Sequence, residues 1–200
     1  KFDGSTAEGS GYYAYGASNV HDLPEVARGY SDPPSYRRKD RFDNLDLYDP
    51  NGPYRTVLRA RVYMTLPDGR VPHTADAHKG GPEWPGPAWV HNIGLVRLGK
   101  EFAPFVRLDS GDDFALFNRP ANLKPADPPP VRDIFFPGWL LAIFNTGYEG
   151  MFQEDLAGTA TFLMNFYEPE GHDHPDALNI AMFAEGVEML SDLGYIGDHP

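Results

Sequence analysis

Apolar and polar residues alternate most cleanly over 54–66. There Thr56, Leu58, Ala60, Val62, Met64 and Leu66 interleave with Arg55, Val57, Arg59, Arg61, Tyr63 and Thr65. A period of two is that of a half-buried strand, with one face in the core and three arginines on the other. Pro67, Asp68 and Gly69 supply a tight turn, so the pattern predicts a hairpin whose second strand starts at Arg70. Residues 88–98 and 102–108 read as further strands; 109–113 (DSGDD) makes the next turn, and 114–118 pairs back.

Residues 119–132 (RPANLKPADPPPVR) hold five prolines and can be neither helix nor central strand, which makes them a stiff connector between two subregions. Beyond it the apolar run 134–144 (IFFPGWLLAIF) reads as a core or interface segment, and 159–167 (TATFLMNFY) as a strand. A helix is expected over 174–193, with Asp173 as N-cap, Pro175 in the first turn and Gly194 at its end. At 100° per residue this helix carries two apolar stripes. Ile180, Phe183, Ala184, Val187 and Leu190 form one; Leu178, Met182, Met189 and Leu193 lie roughly opposite. A surface helix normally has one stripe, so the second is expected to face another layer or another chain.

The first 53 residues show no periodicity and are rich in Gly, Ser, Asp, Pro and Tyr. They read as an irregular arm with too many tyrosines for a plain flexible tail. The expected organisation is therefore an arm (1–53), a β-rich body (54–118), the connector (119–132) and an acidic subregion with a strand and a C-terminal helix (133–200). The fold class is α+β, predominantly antiparallel β, with a sandwich- or barrel-like body.

Charge sharpens this picture. Residues 1–99 carry 12 basic and 12 acidic side chains, whereas 100–200 carry 5 and 17, so the whole net charge of −12 lies in the second half. Such a surface repels nucleic-acid phosphates, and no nucleic-acid partner is expected. The longest apolar run is about half the roughly 20 residues of a membrane helix, so no membrane span is expected. The lack of cysteine removes disulfides, thiolate zinc and cysteine nucleophiles. Asp outnumbers Glu, turn residues are abundant, and the first residue is Lys1 rather than Met; together these lean toward an extracytoplasmic setting.

Phosphate loops, dinucleotide fingerprints, nucleophile elbows and zinc-protease helices are all missing from the sequence. Histidines are the remaining lead for catalysis. His73, Asp76 and His78 in one segment, and His172 and His174 in another, supply imidazole and carboxylate groups for a divalent metal. Loop and capping roles compete with that reading in both segments. Asp109, Asp112 and Asp113 lack the spacing of a calcium loop. Trp84, Trp89 and Trp139 would suit a sugar-stacking platform if exposed. Arg55, Arg59 and Arg61 on one strand face need an anionic cover: the chain's own acidic half, an acidic partner or an anionic ligand.

The expectation that joins these features is a structural or accessory subunit. It would engage a protein partner or a second copy through the arm and through Leu178, Met182, Met189 and Leu193. The alternatives are a non-haem metal hydrolase or oxygenase, and an extracytoplasmic carbohydrate-binding module.

Overall fold

The computed structural model describes residues 4, 13, 16, 22–37, 39–49, 52–72, 74, 88–108, 113–166 and 178–191. Among the described residues, regular structure before residue 119 is helical: α1 (Asp22–Ala27), α2 (Pro53–Tyr63), α3 (Ala88–Ile93) and α4 (Asp113–Asn118). α3 continues through a π-helical turn (Gly94–Leu98) into a 3₁₀ helix (Lys100–Phe105). The strands expected at 54–66, 88–98, 102–108 and 114–118 are therefore helices or helical turns, and the described strands all lie after residue 133.

The error at 54–66 has a specific cause. Pro53 stands at the first helical position after Gly52, which is extended (φ −76°, ψ 155°), a favourable helix start. Leu58 and Val62 form one i, i+4 stripe packed into a helical core, while Ala60 and Met64 form another, packed under the sheet. The two stripes are offset by two residues, about 200° around the helix. Interleaved along the chain, they mimic the period of a strand. At 94–102 the deciding contact is steric: a Cβ on Gly94 would lie 2.2 Å from the Phe102 ring, so only glycine lets the 3₁₀ helix fold back on the π turn.

After the connector the chain forms a five-stranded antiparallel meander in sequence order: β1 (Ile134–Phe136), β2 (Leu141–Thr146), β3 (Ala160–Asn165), β4 (Ile180–Ala184) and β5 (Val187–Leu190). This mixed α+β fold has one sheet among the described residues, rather than the sandwich or barrel expected. The C-terminal helix expected over 174–193 is also corrected, because 180–190 is the β4–β5 hairpin. Its two central residues, Glu185 (φ 51°) and Gly186 (φ 75°), both adopt left-handed backbone, the geometry of a two-residue hairpin turn. Asp173, Leu193 and Gly194 lie outside the described residues.

One core cluster joins the inner face of the sheet (Phe136, Leu141, Ile143, Leu163, Ala181) to Ala60, Met64, Leu66 and Trp139. The other gathers Leu58, Val62, Val90, Ile93, Phe102 and Phe105 with Tyr48 and Met151. α2 is thus the element shared by both. Residues 147–159 link β2 to β3 and send Met151 and Phe152 into the helical core, where Phe152 meets Phe105 edge-on at 5.6 Å. Part of the described arm packs on its own chain. Tyr48 lies edge-on to Tyr54 at 5.4 Å and donates its hydroxyl to Glu25 at 2.6 Å, and Glu25 pairs with Arg97 at 2.7 Å. Among the described residues no helix is long and apolar enough to cross a membrane.

Candidate interaction surface and ligand cleft

Antiparallel pairing places directly opposed residues on the same face of a sheet. On the inner face, Ile134, Ile143, Leu163 and Ala181 form a cross-strand row over the core. The outer face carries three such rows. Phe135, Ala142, Met164 and Ile180 make the first; Phe144, Phe162, Met182 and Leu190 the second; Thr146, Ala160, Ala184 and Val187 the third.

All of these outer positions are apolar except Thr146, and none is ionisable. Ala142 is buried, Met164, Ala160, Met182 and Ala184 are partly buried, and the large side chains around them are exposed. Phe135 is 57% exposed, Leu190 50% and Phe144 46%, and Phe162, Ile180 and Val187 are exposed as well. With each aromatic ring worth roughly 200 Å² and the aliphatic side chains somewhat less, the uncovered apolar area is on the order of 500 Å². That is the upper end of what a monomer's largest apolar patch reaches.

A second feature lies on the other side of the sheet. A cleft of about 380 Å³ opens between α2, the 3₁₀ helix and the proline-rich connector, and Ile134 and Ile143 form part of its floor. Arg55 and Arg59, one helical turn apart on α2, converge on Glu101 at 2.7 and 3.0 Å. Arg59 also donates to the Tyr63 hydroxyl at 2.8 Å, and its guanidinium lies 5.4 Å from that ring's centre. Its Nε is buried without a hydrogen-bond partner among the described residues.

Arg61 does not join this group. It is buried, and its guanidinium stands 5.8 Å from the ring centre of Tyr13, whose hydroxyl donates to the carbonyl of Val57. Burial pulls the Arg61 pKa down to about 10. The three arginines therefore do not share a face: two flank a carboxylate beside the cleft and the third enters the interior.

His91 lies in the same interior, 1% exposed and stacked on Phe105 at 6.0 Å. Neither ring nitrogen has a partner among the described residues. Burial first, and the nearby Arg61 charge second, push its pKa down to about 3, so the ring is neutral at physiological pH.

Of the residues expected at an interface, Leu178 and Met189 are 75% and 65% exposed and Met182 is half-buried in the second outer row. They reach the surface on and beside a hairpin, not on a helix. Met189 is the extra residue where the β4–β5 register shifts. The metal-ligand candidates His73, Asp76, His78, His172 and His174 lie outside the described residues, as do Leu193, Trp84, Asp109 and Asp112. Among the described residues no group of three His, Asp or Glu is placed to hold a metal ion. Trp139 is 2% exposed against Phe136, and Trp89 is partly buried against the helical core, so neither offers an open stacking platform.

Sequence reasoning missed both the outer face and the cleft. The signals for the face were Glu185-Gly186 as a hairpin turn and the alternation on either side of it. The cleft has no linear signal, since its walls come from segments up to 92 positions apart, from Arg59 to Met151. No protein-family model, curated protein or solved structure matches this chain.

Proposed function

We propose that this chain is a structural subunit that associates through the outer face of its sheet, and that the surface best matched to that face is the same face of a second copy. The observation that carries this reading is the three-row apolar surface from Phe135 to Leu190, without an ionisable side chain in it. A chain of net charge −12 repels its own copies wherever its acidic residues meet. Two such chains meet at least cost where neither presents charge, and two apolar sheet faces can pack on each other under two-fold symmetry.

The magnitude is adequate. Removing about 500 Å² of apolar area per copy from water is worth roughly 25 kcal/mol gross for the pair at 25 cal/mol per Å². Association costs of about 4 to 15 kcal/mol, together with side-chain ordering, leave a favourable balance. Total apolar burial near 1,000 Å² approaches the roughly 1,200 Å² lower bound of stable interfaces, before any polar rim is counted.

The absence of cysteine permits a direct test. Met182→Cys puts a single thiol near the centre of the face, and Glu149→Cys puts one on an exposed part of the β2–β3 loop. A short thiol-to-thiol crosslinker should convert the first variant to a covalent dimer and leave the second monomeric. Equal yields from the two, or none from Met182→Cys, would contradict the proposal.

A further inference from the structure

We infer that the cleft between α2, the 3₁₀ helix and the proline-rich connector binds a small, mainly apolar molecule through its carboxylate, with Arg59 and Arg132 as the recognising cations. The cleft opens behind the sheet, on the side away from the outer face, so this inference is independent of the proposed association.

Its volume, about 380 Å³, falls within the range of small-molecule sites. The walls are mostly apolar, with Val62, Phe105, Pro129, Val131, Ile143 and Met151 among them, and the charged groups are Arg59, Glu101, Asp127 and Arg132. This is the composition of a site that buries a hydrophobic body and orients it by one polar end.

The polar groups favour an anion at that end. Glu101 is already neutralised twice, by Arg55 at 2.7 Å and Arg59 at 3.0 Å, so the three side chains together keep an excess positive charge. Arg132 adds another cation to the lining and Asp127 one anion, so Arg59 and Arg132 balance Glu101 and Asp127 there, and Arg55, bonded to Glu101 beside the cleft, leaves one excess positive charge. Arg132 brings guanidinium donors to the lining, and Tyr63, having accepted from Arg59, keeps its own hydroxyl proton to donate. A carboxylate satisfies donors of this kind by charge-assisted hydrogen bonds; an amide does so poorly and an ammonium cannot.

Isothermal titration of the full chain with 4-phenylbutyrate tests this, with 4-phenylbutyramide and 4-phenylbutylamine as neutral and cationic counterparts of the same shape. The carboxylate should bind saturably at one site, and the other two about tenfold or more weakly, the worth of a charged hydrogen bond. Arg59→Gln and Arg132→Gln should each weaken the carboxylate by a similar factor. Arg132 is exposed on the connector, so its variant reports even if Arg59→Gln proves unstable. Val131→Trp should fill the cleft and abolish binding without touching a charge. Equal binding of the amide, binding that survives both Arg132→Gln and Val131→Trp, or no binding up to about 5 mM carboxylate, a free energy near 3 kcal/mol, would overturn the inference.

Discussion

His91 gives the interior a built-in sensitivity to acid. Unfolded, a histidine takes up a proton below its ordinary pKa of 6.5; in the fold, burial and the Arg61 charge hold that pKa down to about 3. Between those two values the unfolded chain binds the proton and the folded chain does not, so stability is full above pH 6.5 and falls as the pH drops toward 3. Each unit in that window removes up to about 1.4 kcal/mol, or roughly 2 to 3 kcal/mol between pH 6.5 and 4.5. Against a typical total of about 5 to 15 kcal/mol this is a large share, equivalent to a urea midpoint shift of about 1 M.

His91→Leu keeps an apolar side chain of similar bulk against Phe105 and removes the titration. Urea unfolding of both proteins at pH 7.0 and at pH 4.5 isolates the effect, since every other titratable group contributes equally to each. The loss of stability on acidification should be smaller in His91→Leu by roughly 2 kcal/mol. Parallel losses in the two proteins would refute the reasoning, because they would mean that His91 is protonated in the folded state as readily as in the unfolded.

Glu25, held below its ordinary carboxylate pKa of 4.5 chiefly by the Arg97 hydrogen bond, stabilises the fold above that value and loses its contribution as the pH falls further. Glu25→Gln should therefore cost about 1 kcal/mol at pH 7 in a thermal melt and progressively less as the pH falls below 4.5; an equal cost at every pH would exclude the ion pair as the cause. Gly186→Val puts a β-branched residue at φ 75° in the β4–β5 turn and should lower stability by about 1 to 3 kcal/mol; an unchanged melting temperature would show that the turn tolerates another geometry.

Only part of the sheet was legible in the sequence. Residues 159–167 read as a strand and hold β3, whereas 134–144 read as a core or interface segment and hold β1 and the start of β2. The helical region was misread wherever a helix is buried on more than one side, because the interleaved stripes of α2 mimic a strand. The reverse error occurred at 180–190. There the two faces of a short hairpin, taken at 100° per residue, imitate a two-striped helix, and only the Glu185-Gly186 turn breaks the tie. The arginine trio was visible as a charge problem, yet its resolution was not. Whether Arg61 turns inward to Tyr13 while Arg55 and Arg59 flank Glu101 depends on helical spacing and on a residue 40 or more positions away.

Sedimentation equilibrium tests the central claim most directly, by comparing the native chain with Phe135→Lys/Leu190→Lys. The two substitutions sit on the two edge strands, each at a position at least half exposed, so they charge the outer face without entering the core. The native chain should give a mass approaching twice 22.3 kDa at micromolar concentration, and the double variant, still folded by circular dichroism, should give 22.3 kDa. A native chain of 22.3 kDa at every concentration, or a double variant that associates as the native chain does, would contradict the assignment of the outer face as the surface on which this subunit assembles.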